Sequence, residues 1–128
     1  MSFTSQASPA SRGRHANVHD APQLAPIPQS DDEISVAFVG TYGPRRCGIA
    51  TFTADLAAAV AGDNWRVSPM VLAVTEPAGQ YQYPAEVKFE IRQDVKGDYA
   101  RAAEFVNFNR VRLVCIQHEY GIFGGDDG

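Results

Sequence analysis

The sequence predicts an α/β protein, a parallel sheet with flanking helices. Two observations lead there. Short apolar, β-rich runs alternate with stretches of helical apolar spacing, in the order strand, helix, strand, strand, helix, strand. The last run, residues 111–116, is apolar almost without interruption, the pattern of a strand covered on both faces of a parallel sheet.

Each element follows from its residues. Ile34-Ser-Val-Ala-Phe-Val39 is short, rich in strand formers and stopped by Gly40. Ile49 to Ala61 places Ile49, Phe52, Leu56 and Val60 on one helical stripe, and Gly62 stands where a helix stop belongs. Val67 to Val74 forms the second strand, and Pro69, which lacks a backbone donor, predicts an edge or an early bend. Val87 to Ile91 alternates Val87, Phe89 and Ile91 inward as the third strand. Asp98 is expected to cap a second helix from Tyr99 to Phe108, with Ala102, Phe105 and Val106 inward. Val111 to Ile116 then belongs in the middle of the sheet. About four strands and two helices in this order describe a Rossmann-like sheet, truncated relative to a full doubly wound domain.

Residues 1–33 differ in kind. Residues 1–30 are rich in Ser, Pro, Ala and Gln with few large apolar groups, so they cannot offset the entropy of ordering and read as a disordered N-terminal tail. The folded region is then 34–128, a partial domain. The formal net charge of the 128 residues is -4, which excludes a diffuse attraction to nucleic acid. Cys47 and Cys115 form no CxxC pair and are too few for a disulfide scaffold or a cysteine zinc site, so reduced thiols in a cytoplasmic protein are expected and no metal site is. No apolar run approaches the about 20 residues of a transmembrane helix. The first 30 residues lack the apolar core of a secretory signal.

In a doubly wound sheet, ligands gather beyond the carboxyl ends of the strands. Two stretches fall there. In Gly40-Thr-Tyr-Gly-Pro-Arg-Arg-Cys-Gly48, the glycines Gly40, Gly43 and Gly48 allow close backbone approach, and the following helix offers unpaired N–H groups. Arg45 and Arg46 add planar cations suited to phosphate. The alternative is a solvated turn whose arginines aid solubility. The stretch has neither the GK[ST] ending of a Walker A loop nor GxGxxG spacing. Cys47, beside two cations at a helix start, has the setting that lowers a thiol pKa, but a small packing residue is the commoner role. Cys115 reads as a core thiol.

The second stretch is Gln117-His-Glu-Tyr-Gly-Ile-Phe-Gly-Gly125. His118 can donate, accept or carry charge near neutral pH, Glu119 can orient it or bind a hydroxyl, and Gly121, Gly124 and Gly125 offer backbone N–H groups to a ligand. A hydrogen-bonded strand-end histidine is the plainer reading. Ile122 stands where the second histidine of HExxH would be, which excludes a zincin site.

Together, Tyr42-Gly-Pro-Arg-Arg-Cys-Gly-Ile-Ala-Thr-Phe-Thr53 and Gln117-His-Glu-Tyr-Gly-Ile-Phe-Gly-Gly125 resemble the N-terminal domain of group-one retaining glycosyltransferases of the GT-B fold, many of which carry PP-x-x-CGIA-T-F and QHE-x-GIFGG. Gly43 departs from that pattern, where a second proline is common. The resemblance spans residues 34–128. It implies transfer of a hexose, with retention, from a nucleotide-sugar to a hydroxyl acceptor, without a cofactor. His118 would lie beside the transferred sugar as the catalytic residue, and Gly43, Arg45, Arg46, Gly48, Glu119, Gly124 and Gly125 would line the substrate and phosphate site. The second domain that grips the donor in that family has no counterpart in these residues, so a glycosyltransferase fragment, inactive alone, is expected. Two further readings stay open: a binding half-domain that associates through an exposed sheet edge, and a thiol enzyme using Cys47 with His118.

Overall fold

The computed structural model describes Pro26, Ile27 and residues 30–62 and 66–126. Its elements are β1 (Ile34–Gly40), α1 (Gly48–Ala61), β2 (Val67–Thr75), β3 (Val87–Arg92), α2 (Lys96–Phe108) and β4 (Leu113–Ile116). The four strands form one sheet in the order β3-β2-β1-β4, and every pairing is parallel. The Rossmann-like α/β class is therefore present. The disordered-tail expectation falls almost wholly outside the described residues. Within them, the Ile27 N–H donates to Asn109 Oδ1 at 2.7 Å and Ile27 packs against the core.

Strand alternation sorts the core into two layers. Ala37, Met70, Leu72, Val74, Phe89 and Ile91 meet Ala102 and Phe105 of α2 on one face. Val36, Phe38, Val71 and Ala73 meet Ala57 of α1 on the other. A parallel connection needs a crossover, and here the two helical crossovers, α1 and α2, lie on opposite faces because the chain runs outward from β1 to β3 and then returns past β1 to β4. The point where the direction reverses lies between β1 and β4, so the carboxyl ends of these two strands form the crevice of the sheet.

Four expectations are corrected. The buried face of α1 runs along Ala50, Thr53 and Ala57, not through Phe52, which is 54% exposed. Small residues bring the helix axis close to the sheet, Phe38 of β1 supplies bulk from the other side, and the Thr53 hydroxyl is satisfied by donating to Ile49 O at 2.8 Å. Pro69 does not mark an edge strand, because β2 lies between β1 and β3. Ile34 N–H bonds Arg66 O and Val71 N–H bonds Glu86 O, so the amide position of residue 69 points to the β3 side. There β3 begins to pair only at Val71, and no ladder bond is lost. Asp98 is not the cap of α2, a position held by Val95. It sits in the first turn, buried, where its carboxylate accepts from the Arg92 N–H at 3.0 Å and from the Arg92 guanidinium at 2.7 and 3.0 Å. Last, β4 is an edge strand of four residues, paired only to β1. Its apolar side chains resemble those of a central strand, yet Leu113 and Ile116 are 57% and 61% exposed because neither helix reaches over them.

Candidate functional site

The two glycine-bearing stretches leave the sheet side by side. Val39 pairs with Ile116, and the Gln117 N–H continues the ladder by donating to Val39 O at 2.8 Å. Gly40 is needed at this junction, since a Cβ there would lie 2.9 Å from Gln117 Cβ. Thr41 onward and His118 onward therefore diverge from one point at the carboxyl edge, at the reversal of strand order.

Along the first stretch Thr41 and Tyr42 are buried, and burial, with Glu86 nearby, pushes the Tyr42 hydroxyl pKa up. Cys47 is the N-cap residue of α1, extended in backbone and without a side-chain capping bond. Its Sγ lies 3.2 Å from Thr41 Oγ1, and both cysteines are free thiols. The first intrahelical bond runs from Thr51 N–H to Cys47 O, so the N–H groups of the preceding turn face outward without helical partners. Gly43 and Gly48 have open space where a side chain would stand.

The two arginines separate in role. Arg46 is exposed and makes no ion pair among the described residues. Arg45 is part-buried and pairs with Glu76, just past the end of β2, at 3.1 Å. The contact is electrostatic, without hydrogen-bond alignment. Glu76 also accepts the Tyr81 hydroxyl proton at 2.5 Å. Burial alone would raise the Glu76 pKa, but the Tyr81 bond, a backbone N–H and Arg45 together outweigh it and hold the carboxyl below its ordinary value. The Tyr81 pKa is raised, chiefly by that hydrogen bond to an anion. Beside this lies a second polar chain. Buried Thr75 donates to Glu90 Oε1 at 2.7 Å, so its hydroxyl accepts the Tyr83 proton at 2.7 Å. Sequence reasoning missed Thr75, Glu76, Tyr81 and Tyr83. The signal was present, because Thr75-Glu76 ends a strand on the same edge as the other two stretches.

The second stretch is a loop fixed by apolar anchors. Ile122 is buried in the α2-face core and Phe123 packs against it. Gly121 and Gly125 take positive φ of 81° and 116°, the conformation glycine tolerates best. His118 is exposed, stacked on Phe123 with ring centroids 5.7 Å apart and planes at 16°, and edge-on to Tyr120 at 5.9 Å. Glu119 is exposed and its carbonyl accepts the Ile122 N–H at 3.2 Å. Gly124 serves a different purpose from the one expected. Its N–H donates to the Tyr99 hydroxyl at 3.1 Å, and a Cβ would stand 2.0 Å from Gln93 O, so its close approach is to protein backbone.

The expected residues thus divide into three groups. Arg46, Gly43, Gly48, His118, Glu119 and Gly125 face open space around the crevice, Arg45 is engaged by Glu76, and Gly124 locks the loop. Cys47 contacts Thr41 while His118 contacts Phe123 and Tyr120, so no thiol–imidazole pair forms. Among the described residues no group of His, Cys, Asp and Glu is placed to hold a metal, and no helix is long and apolar enough to cross a membrane. Compared with protein-family models, with curated proteins and with solved structures, the chain has no match in any of the three.

Proposed function

We propose that this chain forms the acceptor-facing half of the cleft of a retaining GT-B glycosyltransferase, which moves a hexose from a nucleotide-sugar to a hydroxyl acceptor. The observation that carries the reading is the junction of Gly40 and Gln117, where two stretches resembling one family's motifs meet at the reversal of strand order. On this reading the uncapped start of α1 and exposed Arg46 face the diphosphate, and His118 faces the sugar. Retaining transfer of this kind needs positioning and charge stabilisation more than a nucleophilic side chain, which suits a site of one imidazole, glycines and cations. Two free thiols suit a reducing cytoplasm.

Titrating the isotope-labelled chain with nucleoside diphosphates and nucleotide-hexoses tests this directly. Amide shifts are expected to concentrate at residues 43–48 and 117–125, and to weaken in Arg46→Ala. Arg45→Ala should weaken them as well, because it leaves the Glu76 charge uncompensated beside the site. Silence at both stretches with every donor, together with no hexose transfer by a polypeptide containing this chain, defeats the reading.

A second reading is favoured by the exposed side chains of β4. A short apolar edge strand with free backbone groups on one side is a template for association. If the chain associates through it, Ile116→Lys should shift the sedimentation profile toward monomer. An unchanged profile would show that the edge makes no such contact.

A further inference from the structure

We infer that Tyr99 and Gln93 are positioning residues for His118, holding the loop whose Phe123 ring carries the imidazole. The consequence for transfer rests on the function proposed above, whereas the mechanical link stands on geometry alone.

The Tyr99 hydroxyl sits between two backbone groups. It donates to Gln93 O at 2.8 Å and accepts the Gly124 N–H at 3.1 Å, using its single proton and one lone pair. The Gln93 side chain completes the clamp, with Nε2 donating to Gly121 O at 2.7 Å. Residues 121 and 124 are thereby tied to the β3–α2 connection, and Ile122 between them is 3% exposed. Phe123 lies inside the clamped segment, and its ring is stacked against His118. His118 itself makes no hydrogen bond to a described residue, so ring contacts with Phe123 and Tyr120 are what orient it. Tyr99 belongs to α2 and packs against the core, so the orientation of an exposed imidazole is set from the rigid body of the fold.

Tyr99→Phe keeps the ring in the core and deletes only the hydroxyl. In the 128-residue chain the Gly124 amide is expected to exchange with solvent about tenfold faster, as for the loss of one hydrogen bond. The ring-current displacement that Phe123 imposes on the His118 ring protons should shrink with it. Gln93→Ala, which retains the backbone carbonyl, should loosen Gly121 and move the His118 signals in the same direction. Unchanged His118 signals in both variants overturn the inference, even if Gly124 exchanges faster, because the clamp would then hold backbone without orienting the imidazole. If Tyr99→Phe raises exchange at every amide, the fold has weakened as a whole and Gln93→Ala decides. In a polypeptide that transfers sugar, Tyr99→Phe should lower kcat several-fold and leave KM in place. Should His118→Ala leave transfer unaffected, the functional reading fails while the spectroscopic result still stands.

Discussion

On the function proposed above, replacing His118 by alanine is expected to lower kcat for hexose transfer roughly a hundredfold, the cost of losing one well-placed group that stabilises developing charge. The imidazole stands at the crevice between β1 and β4, exposed on one side and backed by Phe123 on the other. In the proposed reaction, a sugar hydroxyl bonded to it would gain more as the sugar ring takes on positive charge than in the ground state. An interaction made mainly in the transition state appears in kcat and not in KM. Stability should hardly change, since His118 contributes ring stacking at the surface and no core volume. Steady-state kinetics, paired with a nucleoside diphosphate titration, make the measurement. A near-normal kcat would reduce His118 to a surface ring resting on Phe123.

Asp98→Ala should destabilise the fold by on the order of 2–3 kcal/mol. The carboxylate is buried at the start of α2 and gathers the Arg92 backbone N–H, the Arg92 guanidinium and Arg101, joining β3 to α2. Its removal leaves the Arg92 N–H without this acceptor. The cost stays below that of stranding a fully buried ion, because the Arg92 side chain is 57% exposed and can return to water. For a region of this size the melting temperature should fall by on the order of 10–20 °C, read by circular dichroism. Hydrogen bonds from Arg92, opposed in part by burial and joined by Arg101, hold the Asp98 pKa far below its ordinary value. A depressed folded-state pKa adds stability that is complete above the unfolded carboxylate value of about 3.9 and disappears as pH falls toward the folded value. The gap between wild type and Asp98→Ala should therefore be constant from about pH 7 to pH 5 and narrow below about pH 4. A gap independent of pH down to acid unfolding would show that the charge contributes nothing.

Much of the fold is legible in the residues. Short apolar, β-rich runs and helical stripes locate all six elements to within a few residues, because each element must bury apolar surface to exist at all. The rule that ligands meet the carboxyl ends of parallel strands picked out residues 40–48 and 117–125, and both do lie at that edge. Local spacing does not reveal which partner a side chain finds. Nothing near Arg45 in the chain announces Glu76, which comes from the end of the next strand, and nothing near Gly124 announces the Gln93 carbonyl that forbids a side chain there.

By itself, the sequence determined the class of the fold, the order of its elements and the two stretches that the sheet brings together. Only the tertiary structure decided the rest: that β4 lies at the edge, that α1 buries Thr53 and Ala57 in place of Phe52, that Asp98 serves Arg92 instead of capping its own helix, and that Arg45 is held by Glu76. The division has one cause. Element type depends on apolar periodicity within a dozen residues, which the chain carries locally. Burial face, edge position and ion pairing depend on which surfaces meet across the sheet, and strands adjacent in space, such as β1 and β4, are separated in the chain by most of the fold.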